Sequence, residues 1–300
     1  MRYGILLSEN AKDGDPITGL RDQIADAAER GFSSAWMSNI FGLDAITALT
    51  AAGVQAPPIE LGTAVVPTYP RHPAALAQQA MTANAALGGR FTLGIGLSHK
   101  VVIENVYGYS FERPGRHMKE YLEILVPLTR GEKVAYRGET LQAGLRLTTP
   151  GAGLPVLVAA LGPRMLKLAG TLAAGTVLWM TGPKTIAEHI APAIKAAAAE
   201  AGREEPRIVC SLPICVTDDP EGAVARANEI FSTYGTLPSY RAMLDREGVA
   251  GPGDVAVVGD EETVLARLET LRQAGVTDFV AAPFGGRRRT LDLLTGAAKS

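Results

Sequence analysis

Residues 156–184 read VLVAALGPRMLKLAGTLAAGTVLWMTGPK. An apolar run from Val156 to Leu161 stops at Gly162-Pro163, and a helical stretch follows. A second apolar run, Val177 to Met180, stops in the same way at Gly182-Pro183. Gly-Pro is helix-entry chemistry, since Pro suits the first helical position and Gly fits a tight bend. Strand, helix and strand in this order make a unit whose strands run parallel. The cations after each Gly-Pro fit less well. Arg164 and Lys184 fall in the first helical turn, where the macrodipole favours negative charge. Two readings stand open here: long side chains reaching into water, or an anion held by the backbone N–H groups of a helix start.

The same alternation runs outward in both directions. Short β-branched or aromatic runs predict strands over 3–7, 34–38, 60–66 and 91–96, then over 155–159, 176–180, 207–212 and 277–281. Apolar residues at helical spacing separate them. In 15–32, Ile17, Leu20, Ile24, Ala27 and Ala28 share a face, with Gly31 as the stop. In 73–89 the face is Leu76, Ala80, Met81, Asn84 and Leu87, and later helices are expected over 116–130, 164–173, 185–201, 220–232, 262–274 and 287–297. Six strands would suit a doubly wound sheet. Eight suit a closed α/β barrel, the (β/α)8 TIM barrel. The segment 131–154 reads as a hairpin and 236–254 breaks the pattern again, while neither has the composition of a linker. One domain over 1–300 with two insertions is the expectation.

Bulk properties narrow the function classes. A 47% apolar and 20% charged composition is that of a chain with a large core. A net charge of −2 without a basic stripe argues against nucleic acid. No stretch reaches the length of a membrane span, and the apolar run near the start is too short for a signal peptide, so a cytoplasmic protein is expected. Cys210 and Cys215 are five apart and would face opposite sides of one strand, as structural thiols. The four histidines are scattered, so no metal site is expected.

A barrel carries its active site at the carboxyl ends of its strands. Here those ends hold few titratable groups: Asn39, Asp44, His72 and His99 lead, with Arg71, Lys100, Arg164, Lys184 and Arg287 to Arg289 as a basic ring. No nucleophile motif appears. GIGLSH (94–99) lacks the third glycine of a dinucleotide fingerprint, so its glycines read as close backbone approach to something flat. Gly-lined strand ends, cationic helix starts and little acid–base equipment suit a phosphate-bearing cofactor that carries the hard chemistry itself.

Three stretches, LGTAVVPTYPRHPAALAQQA (61–80), GGRFTLGIGLSHKVVIENVYGYSFERPGRHMKEYLEIL (88–125) and VAALGPRMLKLAGTLAAGTVLWMTGP (158–183), resemble the bacterial luciferase-like superfamily. More narrowly they resemble its branch of coenzyme F420-dependent oxidoreductases. The resemblance implies a non-prolyl cis peptide at Ala64–Val65, behind the cofactor ring and bending it toward its reduced shape. It implies phosphate binding by backbone N–H groups along Ala159, Ala160, Leu161, Gly162 and Pro163. Thr181 and Gly182 would border that site, with Lys184 near the cofactor's acidic tail, and Asn39, Gly96 and Ser98 would also contact the cofactor.

Two departures matter. Many F420 members carry Asp-His where this chain has Asn39-Ile40, and the sugar-phosphate dehydrogenases of the branch carry a glutamate where His99 stands. A sugar substrate is therefore not transferred, and His99 is the best remaining proton donor. Phe41, Tyr107, Tyr109 and Trp179 are candidates for an apolar substrate wall. The reading is hydride transfer between F420 and a small organic substrate. Its alternatives are an FMN-dependent monooxygenase using O2 and a cofactor-binding barrel without turnover. The resemblance also implies a homodimer.

Overall fold

A computed structural model describes residues 1–9, 14–149 and 153–299. The chain begins β1 (Arg2–Leu6), α1 (Pro16–Glu29), β2 (Ser34–Met37), α2 (Ala45–Gly53), β3 (Glu60–Thr63) and β4 (Val66–Pro67). It continues α3 (Pro73–Ala86), β5 (Phe91–Gly96), α4 (Lys100–Asn105) and α5 (Pro114–Thr129), then β6 (Val134–Arg137), β7 (Gln142–Leu145), β8 (Val156–Val158), α6 (Pro163–Leu172) and β9 (Gly175–Trp179). The next helix starts as α7 (Pro183–Thr185), passes through one π turn (Ile186–Ile190) and ends as α8 (Ala191–Glu200). After β10 (Arg207–Val216) come α9 (Pro220–Ile230), α10 (Ser232–Thr236), α11 (Pro238–Glu247), a 3-10 turn (Pro252–Val255) and β11 (Val257–Gly259). The chain closes with α12 (Glu261–Gln273), β12 (Asp278–Pro283) and α13 (Arg287–Lys299).

Eight parallel strands, β1, β2, β3, β5, β8, β9, β10 and β12, form a closed (β/α)8 barrel. Closure comes from β9 pairing with β10 and β12 pairing with β1. The ladder departs from the expected strands in two places. The run 60–66 is broken into β3 and β4 around Ala64 and Val65. β10 runs to Val216 because its far half pairs with β11, Ile214 opposite Val257. β6 and β7 are an antiparallel hairpin lying outside the barrel. Residues 150–152 of the expected 131–154 insertion lie outside the described residues.

Helix entry follows the local chemistry. Asp15, Asp44, Asp219 and Asp260 each accept first-turn N–H groups, which satisfies donors that have no partner inside the helix. Buried Glu120 of α5 holds the hairpin turn by accepting from the N–H groups of Glu139, Thr140 and Leu141 and from the Thr140 hydroxyl.

The barrel interior is stacked in layers. At the amino-terminal end, Arg207 donates to Glu60 at 2.8 Å and to Asp278 at 2.8 Å. Burial alone would raise the Glu60 carboxyl, but Arg207 beside it holds it below its ordinary range. Above lie Trp36, Leu157, Val177, Val209 and Val280. Trp36 fits because its neighbours are glycines: a Cβ on Gly62 would fall 2.3 Å from its ring. The third layer is open, and that opening is the site.

Candidate active site

The cavity at the carboxyl ends of the strands has a volume of about 510 Å³. Leu6, Leu7 and Val177 to Trp179 line its depth, and Asn39, Ile40 and Phe41 line one side. Ala64, Val65 and Pro67 form its floor, Ser98 and His99 the side beyond β5. Phe231, Tyr234, Tyr240 and Phe284 roof it, and Arg287 stands at its edge. Among the described residues, no carboxylate lines it.

Of the residues singled out from sequence, the cavity wall gathers Asn39, Ala64, Val65, Ser98 and His99, with Phe41, Tyr107 and Trp179 from the candidate substrate wall. Gly96, Ala159 to Pro163, Thr181, Gly182 and Tyr109 are not on it. The Ala64–Val65 peptide is cis. Beside it, the Thr63 hydroxyl bridges both backbone groups of Gly94, donating to its carbonyl at 2.8 Å and accepting from its N–H at 2.9 Å. A Cβ on Gly94 would lie 2.0 Å from the Thr63 carbonyl oxygen, and one on Gly96 would lie 2.6 Å from Val65 Cγ2. The glycines of GIG thus make room for the neighbouring strand. Gly96 sits behind Val65.

The two Gly-Pro helix starts differ. At the first, the Ala159 N–H bonds to the Ile95 carbonyl and the Ala160 N–H to Thr176 Oγ1. The Leu161 and Gly162 N–H groups have no acceptor among the described residues, and a Cβ on Gly162 would enter open space. His189, on the π turn, donates from Nε2 to the Leu161 carbonyl at 2.8 Å and fixes the loop. At the second start the chain supplies its own anion: the Glu247 carboxylate accepts from the Lys184 N–H at 3.1 Å and the Thr185 N–H at 2.8 Å. Of the two readings open for these helix starts, an anion is present at the second, and it is a side chain.

His99 is half-buried, with its ring 5.8 Å from that of Tyr240. Neither ring nitrogen has a partner among the described residues. Burial pushes its pKa below the ordinary value, so the ring is neutral at neutral pH. Asn39, on the cavity wall, accepts through Oδ1 from the Ala45 N–H at the start of α2 at 3.0 Å. Other candidates have structural duties. Asp44 pairs with Arg71. His72 accepts from the Ala74 N–H through Nδ1 and donates through Nε2 to the Gln142 carbonyl. Arg289 pairs with Glu261 and Asp218.

Sequence reasoning missed the roof. Phe231, Tyr234 and Tyr240 come from the far side of α9 and from the segment that interrupts the repeat. Their one signal was the aromatic spacing in FSTYGTLPSY (231–240). Trp179 packs edge-on to Phe231 at 5.7 Å and to Tyr234 at 5.8 Å. Its buried indole N–H lies near the Tyr234 hydroxyl but meets no acceptor in hydrogen-bonding geometry.

Comparison with known proteins adds a family. The sequence model of one family, described as luciferase-like monooxygenase, matches residues 1–278. The chain is 26% identical over 313 residues to a 5,10-methylenetetrahydromethanopterin reductase of Methanolobus tindarius, covering 94% of this chain and 95% of that protein. It is 27% identical over 285 residues to an F420-dependent glucose-6-phosphate dehydrogenase of Nocardia farcinica, covering 87% and 81%. In three dimensions it is similar to the coenzyme F420-dependent tetrahydromethanopterin reductase of Methanopyrus kandleri, with a TM-score of 0.82 at 24% identity, covering 98% and 97% of the two chains. At that identity the structural likeness is one of fold.

Proposed function

Since the chain belongs to the luciferase-like monooxygenase family, we propose that it is an oxidoreductase in which coenzyme F420 exchanges a hydride with a small organic substrate. The observation that supports this is the open helix start at Gly162, which follows β8 at the same carboxyl-terminal end of the barrel as a large apolar cavity with no carboxylate on its wall among the described residues. The fit to a flat, phosphate-bearing group is good. The free Leu161 and Gly162 N–H groups and the dipole of the ten-residue α6 favour an anion. When bound, the deazaflavin supplies two-electron hydride chemistry.

The chain's own residues do the rest. Ala64 and Val65 would support the ring, and the aliphatic and aromatic wall would exclude water. Neutral His99 holds a proton on one ring nitrogen and offers it at the cavity side, as a donor to the substrate. Asn39 orients a polar atom through its amide. Among the described residues no helix is long and apolar enough to cross a membrane. The reading carries a cytoplasmic homodimer with it.

A second reading, FMN in the same cavity with O2 as co-substrate, is favoured by the family's own description. FMN also bears one phosphate, so Gly162 would serve either. Gly162→Asp tests the phosphate assignment: the side chain enters open space, so folding is retained, while a negative charge lies where the phosphate would sit. Affinity for F420 is expected to fall tenfold or more, roughly 1.4 kcal/mol. Unchanged affinity in the folded variant would reduce the Gly-Pro stretch to a helix entry.

A further inference from the structure

The second Gly-Pro start, whose backbone N–H groups are taken by a side chain rather than left for a cofactor, is tied to the cavity roof. Three hydrogen bonds join α11 to the helix that follows β9, and all end on residues 184 and 185. Two are the Lys184 and Thr185 N–H groups donating to Glu247, and the third is the Thr185 hydroxyl donating to the Met243 carbonyl at 3.2 Å. Gly182 is the residue that lets this happen, because a Cβ there would lie 2.3 Å from the Glu247 carboxyl carbon. The carboxylate satisfies two first-turn donors and sits at the positive end of the helix dipole.

The first turn of the same α11 carries Tyr240, which packs against His99 at 5.8 Å and against Tyr234 of α10 at 5.1 Å. Tyr234 and Phe231 in turn cover the Trp179 ring. An uninterrupted run of contacts therefore leads from the Glu247 carboxylate along one helix to the candidate proton donor.

We propose that Glu247 is a positioning residue: by capping the Gly182-Pro183 helix start it holds the aromatic roof against His99 and so fixes the space left for the substrate. The barrel itself does not depend on it, since the strands close through their own ladder and through the Arg207 network at the opposite end. The inference rests on the reading of this cavity as the reaction site. Its test needs neither cofactor nor substrate.

The chain has two tryptophans. Trp36 is fully buried in the barrel layer, so quenching by added acrylamide reports mainly on Trp179 under the roof. Loss of a helix cap of this kind raises the open population of the segment about fivefold. In Glu247→Ala the Trp179 quenching constant is expected to rise about twofold or more, with the barrel still folded by circular dichroism. Glu247→Gln, which keeps an acceptor oxygen, should restore most of the protection. Gly182→Ala, which pushes the carboxylate away without removing it, should behave like Glu247→Ala and serves if the latter fails to fold.

Asp245→Ala, which breaks an exposed pair with Arg241 on the same helix, should leave quenching unchanged. Wild-type quenching in folded Glu247→Ala or Gly182→Ala would overturn the proposal. So would an equal rise in Asp245→Ala, because any loosening of α11 would then suffice. Failure of F420 to bind would leave these outcomes untouched, so the two readings fail separately.

Discussion

Acidification should destabilise this protein in large part through His117, which lies just outside the cavity floor. His117 of α5 stacks on Tyr69 with ring centres 4.0 Å apart and planes 8° from parallel, and its Nε2 is 3.0 Å from the hydroxyl of buried Thr68. Thr68 follows Pro67 of the floor and bonds through its N–H to the Gly96 carbonyl. Burial lowers the His117 pKa from 6.5 to about 4, outweighing the nearby Glu120 charge. Because the folded pKa lies below the unfolded one, the unfolded chain binds the proton first. The penalty is absent above pH 6.5, grows as pH falls toward 4 and is complete below it.

At 1.36 kcal/mol per unit the shift corresponds to about 3 kcal/mol, and about 2 kcal/mol after allowing for the ring's partial exposure to water. Urea unfolding of wild type and His117→Gln at pH 7, 6, 5 and 4 isolates the effect, since carboxylates and His99 titrate in both proteins. The stability of wild type relative to the variant should fall by about 2 kcal/mol from pH 7 to pH 4. A difference that stays constant with pH would refute the assignment of a buried neutral ring.

Two substitutions probe the floor and the proton donor. Gly94→Ala places a Cβ 2.0 Å from the Thr63 carbonyl oxygen, a backbone atom that cannot step aside. Urea unfolding should show a loss of roughly 3 kcal/mol, and a neutral result would mean that the strands are not packed this closely. His99→Ala should lower turnover roughly 100-fold, as expected for a lost proton donor, while F420 affinity by fluorescence titration changes little. Abolished cofactor binding would make the histidine a ring contact and leave the acid unidentified.

Much of the barrel could be read from the chain because β5, β9 and β12 are dense apolar runs set between helices with clear starts. The parts that could not be read lack a local signal. α2, AITALTAAG, has only apolar residues, a glycine and two threonines, and so shows no charged stripe. β11 is three residues whose neighbour β10 lies far earlier in the chain. The break between β3 and β4 leaves no mark on the apolar pattern and was expected only from the resemblance.

The site was legible to the same limited degree. Positions next to strand ends were found, because the barrel rule converts a strand end into a site position. The roof and the Glu247 cap were not. Glu247 lies 62 and 63 residues from its two donors, and no spacing rule reaches that far. His72 and Asp44 stood at strand ends too, but their polar atoms are consumed by helix caps and an ion pair.

The central claim is that the cavity takes F420 in preference to FMN, and equilibrium titration of the purified protein with each cofactor, followed by fluorescence at low and high salt, tests it most directly. F420 carries an oligoglutamate tail beyond its phosphate, and exposed Lys184 and Arg287 stand at helix starts, Arg287 on the cavity edge, whereas Arg289 is already paired. F420 should bind more tightly, and its advantage should shrink as salt screens those charges. Tighter binding of FMN, or an F420 advantage indifferent to salt, would contradict the account.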